Sequence, residues 1–238
     1  MGAIYKREMQ AYFTTGLGYV FCAVFMAVTG FAFAMFTVQV AMSGADINLP
    51  LYYTVVIISL VVLLPILTMK SFAEEKKMKT EQLLLTAPVS LSSMVVAKFL
   101  AALTVFGACL AATCFYFTVI STHGTPNFGI LYGYVIGVFF LGSAFIAVGI
   151  FISALTENQL VAAVGTIAIL MVMIGINFLN PYIDSAFIRG ILSWISVYER
   201  FDKFCYGQFD FSALLYYISI CFSFIFLTVR VYEKRRWA

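Results

Sequence analysis

The charges of this chain sit in islands separated by long uncharged runs, and that spacing decides what the chain can fold into. No Asp, Glu, Lys or Arg lies between Glu8 and Asp46, Asp46 and Lys70, Lys98 and Glu157, Glu157 and Asp184, or Asp210 and Arg230. A helix needs about 20 apolar residues to cross the hydrocarbon core of a bilayer. Each of the four shorter runs fits one such helix. The run after Lys98 fits two, broken at Ser121–Gly129, where Gly124, Pro126 and Gly129 punctuate the pattern. The chain is 63% hydrophobic and only 11% charged, which excludes a soluble domain. The expectation is one all-α, polytopic membrane domain over 1–238, with spans at 17–41, 50–72, 92–120, 129–154, 158–179 and 210–231.

Orientation follows from the basic residues, which favour the cytoplasmic side. With the N-terminus inside, Lys6, Arg7, Lys70, Lys76, Lys77, Lys79, Lys98, Arg230, Lys234, Arg235 and Arg236 all fall inside. These are 11 of the 14 Lys and Arg residues. Arg189, Arg200 and Lys203 fall outside, among Asp184, Glu199, Asp202 and Asp210. Both termini are therefore expected in the cytoplasm, and the first span reads as a span, not as a cleavable signal. The net charge of +3 is this bias, and no nucleic acid is implied.

Three segments outside the spans carry pattern. Gly2–Thr14 reads as an amphipathic elbow helix, with Tyr5, Met9, Tyr12 and Phe13 on one face. Lys6, Arg7, Glu8 and Gln10 lie mostly on the other, directed to lipid phosphates or to a cytosolic partner. Glu74–Pro88 reads as a cytoplasmic helix, charged in its first half and apolar in its second. Its residues are strong helix formers, and Pro88 disfavours helix at Ala87. Ser90 or Ser92 then caps the third span. The outer segment 180–208 is apolar around Phe187–Tyr198 yet too short to span. It is expected to lie in the outer leaflet, with Trp194, Tyr198 and Tyr206 at the interface.

The stretch Lys79-Thr-Glu-Gln-Leu-Leu-Leu-Thr-Ala-Pro-Val-Ser90, preceded by Glu-Glu-Lys-Lys and followed by Lys98-Phe-Leu-Ala-Ala, resembles the first cytoplasmic loop of type-2 ABC transporter permeases. The gliding-motility-like branch is the most similar in length and span number. Many members have Gly-Thr, an aliphatic residue and Glu where this chain has Lys79-Thr80-Glu81-Gln82. The resemblance implies that 74–88 is the coupling helix docking an ATPase subunit, through Glu75, Lys79, Thr80, Glu81, Gln82, Leu83, Leu84, Leu85, Thr86 and Pro88. It also implies short re-entrant outer helices before the last span and a bacterial cytoplasmic membrane. The expected partners are the ABC ATPase, a second permease subunit (the same chain or a related one), membrane lipid and an extracytoplasmic auxiliary protein. ATP and Mg²⁺ would belong to the ATPase, and the complex would work as an exporter. A subunit that relays ATP hydrolysis to an extracytoplasmic partner without moving a substrate is the alternative.

The remaining signals are consistent with a subunit that performs no catalysis itself. No Gly-x-x-x-x-Gly-Lys-Ser/Thr phosphate loop occurs, and no convergent His, Asp or Glu set suggests a catalytic or metal site. Ionisable groups inside the membrane usually serve as relays in ion-driven transporters. Here they are confined to edge positions such as Lys70, Lys98 and Arg230, expected to snorkel to the interface. Cys22, Cys109, Cys114 and Cys221 fall within spans as ordinary packing, and Cys205 in the outer segment has no partner there. His123 reads as a solvated turn residue. Gly129, Gly133 and Gly137 form a small-residue face for helix packing. Pro65, inside the second span, is a candidate hinge.

Overall fold

A computed structural model describes residues 2–39, 49–80, 90–123, 128–179, 196–205 and 210–236, and among these every regular element is helical. The helices are α1 (Gly2–Thr14), α2 (Leu17–Phe33, continued by a π-helical turn at Ala34–Val38), α3 (Leu49–Thr68) and α4 (Lys70–Lys77). There follow α5 (Leu91–Thr113), α6 (Phe115–His123), α7 (Phe128–Leu155), α8 (Gln159–Leu179), α9 (Val197–Cys205) and α10 (Phe211–Arg236). Among the described residues, six stretches are long and apolar enough to cross a membrane, led by α2, α3, α5 with α6, α7, α8 and α10.

The fourth of these is the hub. α7 packs against α3, α5, α8 and α10, and against the short helices α4 and α9. Its apolar window is 67% buried, against 33%, 28% and 22% for α2, α8 and α10, so those three form the periphery. A helix apolar on all sides belongs inside a bundle, and a peripheral one that stays apolar outside needs lipid. Tyr19, Val20 and Phe31 of α2, Leu160, Val164 and Val172 of α8, and Phe211, Leu215 and Phe222 of α10 are all exposed. Close packing on α7 depends on small residues. A Cβ at Gly142 would lie 2.4 Å from the Phe106 ring, and one at Gly149 would lie 2.2 Å from Thr68 Oγ1. One at Gly137 would lie 3.1 Å from Phe201 of α9. Of the three glycines expected to pack, Gly137 is buried, Gly133 half-buried and Gly129 exposed.

Boundaries follow local chemistry. Ser90 Oγ accepts from Ser93 N at 3.4 Å and caps α5, so Ser90 and not Ser92 is the cap. Asn158 Oδ1 accepts from Leu160 N and starts α8 after a three-residue turn. Gly16, with φ +74°, makes the left-handed turn between α1 and α2 that a side chain would strain.

The expected continuous helix over 74–88 is corrected in its described part. Residues 74–77 belong to α4, which begins at Lys70, and a turn at Met78–Thr80 ends it. Lys79 has φ +56°, a left-handed value incompatible with continuing the helix. Pro65 lies inside α3, which runs on to Thr68, and the break before α4 comes at Met69.

At the far end of the bundle, α9 is held by aromatic packing and hydrogen bonds. Tyr217 Oη donates to the Val197 carbonyl at 2.9 Å, and Tyr198 Oη pairs with Thr54 Oγ1 at 2.9 Å. Tyr53 stacks on Tyr134 at 4.1 Å nearby. Most of the outer segment, including Trp194 and Tyr206, lies outside the described residues.

Candidate functional site

The end of the bundle that carries α1 holds the most concentrated chemistry, built on a joint between α4 and α7. The break at Met69 leaves the first amides of α4 without carbonyls of their own helix, the usual problem of a helix N-terminus. Ser153, in the last turns of α7, solves it from a distance. Its Oγ accepts from Phe72 N at 3.0 Å and Ala73 N at 3.1 Å, and donates to the Met69 carbonyl at 3.1 Å. In return Lys76 Nζ donates to the Ala154 carbonyl, placing a cation on the C-terminal end of α7, where the helix dipole favours it. Phe72 and Ala73 are fully buried.

α1 joins from the other side. Tyr5 Oη donates to Thr104 Oγ1 of α5 at 3.0 Å, and buried Tyr12 packs where a Cβ on Gly18 would meet its carbonyl at 3.1 Å. Glu8 is thereby turned into the bundle, and Arg7, exposed like Lys6, reaches back to bond it. The expected polar face is thus divided: Glu8 is half-buried, whereas Lys6, Arg7 and Gln10 are exposed.

Between α1, α4 and α5 lies a cluster of four charges. The Lys98 side chain is 1% exposed, and its ammonium donates to Glu8 Oε1 at 3.0 Å, Glu75 Oε1 at 2.9 Å and the Ser71 carbonyl at 2.7 Å. Arg7 Nη2 donates to the same two carboxylate oxygens at 2.7 and 2.9 Å. An ammonium has three protons, and here each has an acceptor. The Phe72 ring covers the charge at 5.0 Å and packs in turn on Tyr232 of α10 at 4.8 Å. Two cations and two anions cancel, the condition under which buried charge is tolerated.

Burial dominates at Glu75. It pushes the carboxyl above the ordinary carboxylate range although Lys98 and Arg7 pull it down, and the Glu8 charge adds to the upward push. Burial works against the Arg7 charge too, but Glu8 and Glu75 outweigh it and hold the guanidinium above its ordinary value. Burial, then Glu8, pushes the Tyr12 phenol upward. The cluster opens into a cleft of about 300 Å³ lined by Arg7, Glu8, Lys70, Ser71, Glu74 and Glu75 among others.

Arg7, Glu8 and Glu75, singled out on separate segments of the sequence, are thus brought together. Lys79 and Thr80 lie in the turn leaving α4, where Thr80 N donates back to the Glu75 carbonyl at 3.0 Å. Glu81, Gln82, Leu83, Leu84, Leu85, Thr86 and Pro88 lie outside the described residues. Sequence reasoning missed Lys98, expected to snorkel and found buried. Its position held a signal: seven residues past Leu91, it stands about 10 Å along a helix that is otherwise apolar. Among the described residues no three His, Cys, Asp or Glu side chains converge as metal ligands would. No protein-family model matches the chain, and no curated protein matches it.

Proposed function

We propose that the chain is the permease subunit of an ATP-driven transporter of the ABC type, with the α1 end in the cytoplasm of a bacterial cell. A separate ATPase subunit docks on residues 74–88, and two permease subunits form the path. The observation that carries this reading is the anchoring of that loop at its base. α4 is capped by Ser153 of α7, and Glu75 is bound by Lys98 of α5 and Arg7 of α1. Ser90 fixes the other end of the loop to α5. A load applied to the loop is therefore passed to α5, α7 and α1 together, which suits a subunit driven from outside the membrane. The resemblance of Leu83–Ser90 to the coupling segment of type-2 permeases points the same way.

In this reading the chain's own residues transmit and do not catalyse. Closure of the ATPases displaces the loop, α4 moves with it, and α7, which touches four of the other spans, distributes the displacement. ATP and Mg²⁺ stay on the partner. The test is a pull-down from native membranes through a tag on the C-terminus, comparing the parent chain with Leu84→Asp. The expected result is near-equimolar recovery of a nucleotide-binding protein with the parent chain and its loss with the variant. Replacing an apolar anchor by a carboxylate in a dry groove costs several kcal/mol. Recovery of the parent chain in working form without any ATPase overturns the proposal.

A further inference from the structure

Two thiols that the spacing of the cysteines gave no reason to pair meet between the first and third spans. Cys22 of α2 and Cys109 of α5 lie with their sulfurs 2.8 Å apart, and both are free thiols. Cys114 Sγ instead faces the Leu110 carbonyl, and Cys221 Sγ faces Ser143 Oγ at 3.4 Å. Among the described residues, only the Cys22–Cys109 pair is sulfur against sulfur. Its neighbours hold it in place: Phe21 and Phe25 of α2 are buried, and Phe25 meets Phe106 of α5 edge-on at 6.3 Å.

We propose that Cys22 and Cys109 form an oxidisable dithiol, a modification site whose closure locks α2 to α5. The two sulfurs differ in access, and that sets the order of events. Cys22 is half-buried at the edge of the exposed face of α2, where Tyr19, three residues before it, is exposed to lipid. Cys109 is 5% exposed behind it. An oxidant arriving from the bilayer meets Cys22 first, and Cys109 resolves the adduct. A charged, water-borne disulfide has no route to either sulfur, whereas a small lipid-permeant two-electron oxidant does.

With an azodicarboxamide as that oxidant, the Cys22 thiol adds across the N=N bond and its proton goes to the second nitrogen. Cys109 Sγ then attacks Cys22 Sγ, the S–S bond forms as the S–N bond breaks, and the departing nitrogen takes the Cys109 proton. The thiols lose two electrons and two protons, and the azo compound leaves as the hydrazine. Because α1 is already tied to α5 by the hydrogen bonds of Tyr5 and Glu8 and leads directly into α2, the new bond adds a covalent link to the contacts that hold α1, α2 and α5 together.

The experiment treats native membranes holding the full chain with diamide, then denatures, alkylates the remaining thiols and maps the peptides without reduction. The expected result is a single intramolecular Cys22–Cys109 linkage in most molecules, reversed by a phosphine and absent from Cys109→Ser. Oxidised glutathione should give at least tenfold less. A parallel sample treated with a lipid-permeant maleimide measures access and should show Cys22 modified faster than Cys109. If Cys22 is reached but no linkage forms, or if it joins Cys114 or Cys221 instead, the dithiol does not exist. If the maleimide fails to reach Cys22, the route through lipid is wrong and the proposal falls with it. None of these outcomes depends on the transporter reading.

Discussion

At the scale of single residues, Lys98 and Glu75 have opposite tolerances although they share one ion pair. Lys98 is the only cation wholly enclosed in the cluster, and removing it leaves Glu8 and Glu75 facing each other across buried space. Breaking a buried pair by deleting one partner is strongly destabilising, and Lys98→Met should cost about 3 kcal/mol at neutral pH. Glu75 is the group already under strain, since burial holds its carboxyl above the ordinary value of 4.5. A neutral amide there leaves Lys98 bonded to Glu8 and the Ser71 carbonyl, so Glu75→Gln should change stability by no more than about 1 kcal/mol. The pH dependence follows from the direction of that shift. A carboxyl with a raised folded pKa contributes stability that is fully present below its unfolded value and is lost as pH rises through its folded one. The parent joint should therefore loosen from acid toward neutral pH through this group. Glu75→Gln should flatten that dependence, and Lys98→Met should steepen it and recover in acid. Amide exchange over Lys70–Lys77 as a function of pH reads all three, and equal profiles for the parent and Glu75→Gln would show that Glu75 is not the titrating group.

At the scale of elements, the joint between α4 and α7 depends on one hydroxyl and one missing side chain. Ser153→Ala leaves the Phe72 and Ala73 amides buried without an acceptor, a loss of about 1–3 kcal/mol confined to α4. Exchange at those two amides should rise roughly tenfold or more, while the middle of α7 is unchanged. Gly149→Ala acts through crowding, since its Cβ would lie 2.2 Å from Thr68 Oγ1. It should destabilise by about 1–3 kcal/mol, and Thr68→Ala in the same chain should return most of the loss. A double variant no more stable than Gly149→Ala alone would place the clash elsewhere. These contacts also mark where the sequence stops being legible. Uncharged runs revealed six long apolar helices because composition alone decides whether a segment can sit in hydrocarbon. The cap of α5 was legible to within Ser90 or Ser92, because a cap acts three residues away. The break at Met69 and the docking of α4 were not, because Ser153 lies 80 and 81 residues from the amides it satisfies, and no local pattern encodes such a partner. The burial of Lys98 was hidden for the same reason: its carboxylates come from two other helices.

At the scale of the whole molecule, the parity of the chain can be followed through contacts. Glu8 of α1 holds Lys98 of α5, the Phe72 ring of α4 covers Lys98, and Tyr232 near the end of α10 packs on Phe72. The first and last helices therefore meet at one end of the bundle, which an even number of crossings requires. The basic residues predict which of the two ends faces the cytoplasm. Lys6, Arg7, Lys70, Lys76, Lys77 and Lys98 gather at the α1 end, so that end should be cytoplasmic. Two introduced thiols test this in a Cys205→Ser background, where the other native cysteines lie within the long apolar stretches. Lys77→Cys, at the exposed end of α4, should react with a membrane-impermeant maleimide only after permeabilisation. Ser121→Cys, exposed on α6 at the opposite end, should react in intact cells. The reverse pattern would put the charge cluster and its cleft outside, where no cytosolic ATPase can reach them. The docking proposal would then fail while the fold, the α4–α7 joint and the Cys22–Cys109 pair stood unchanged.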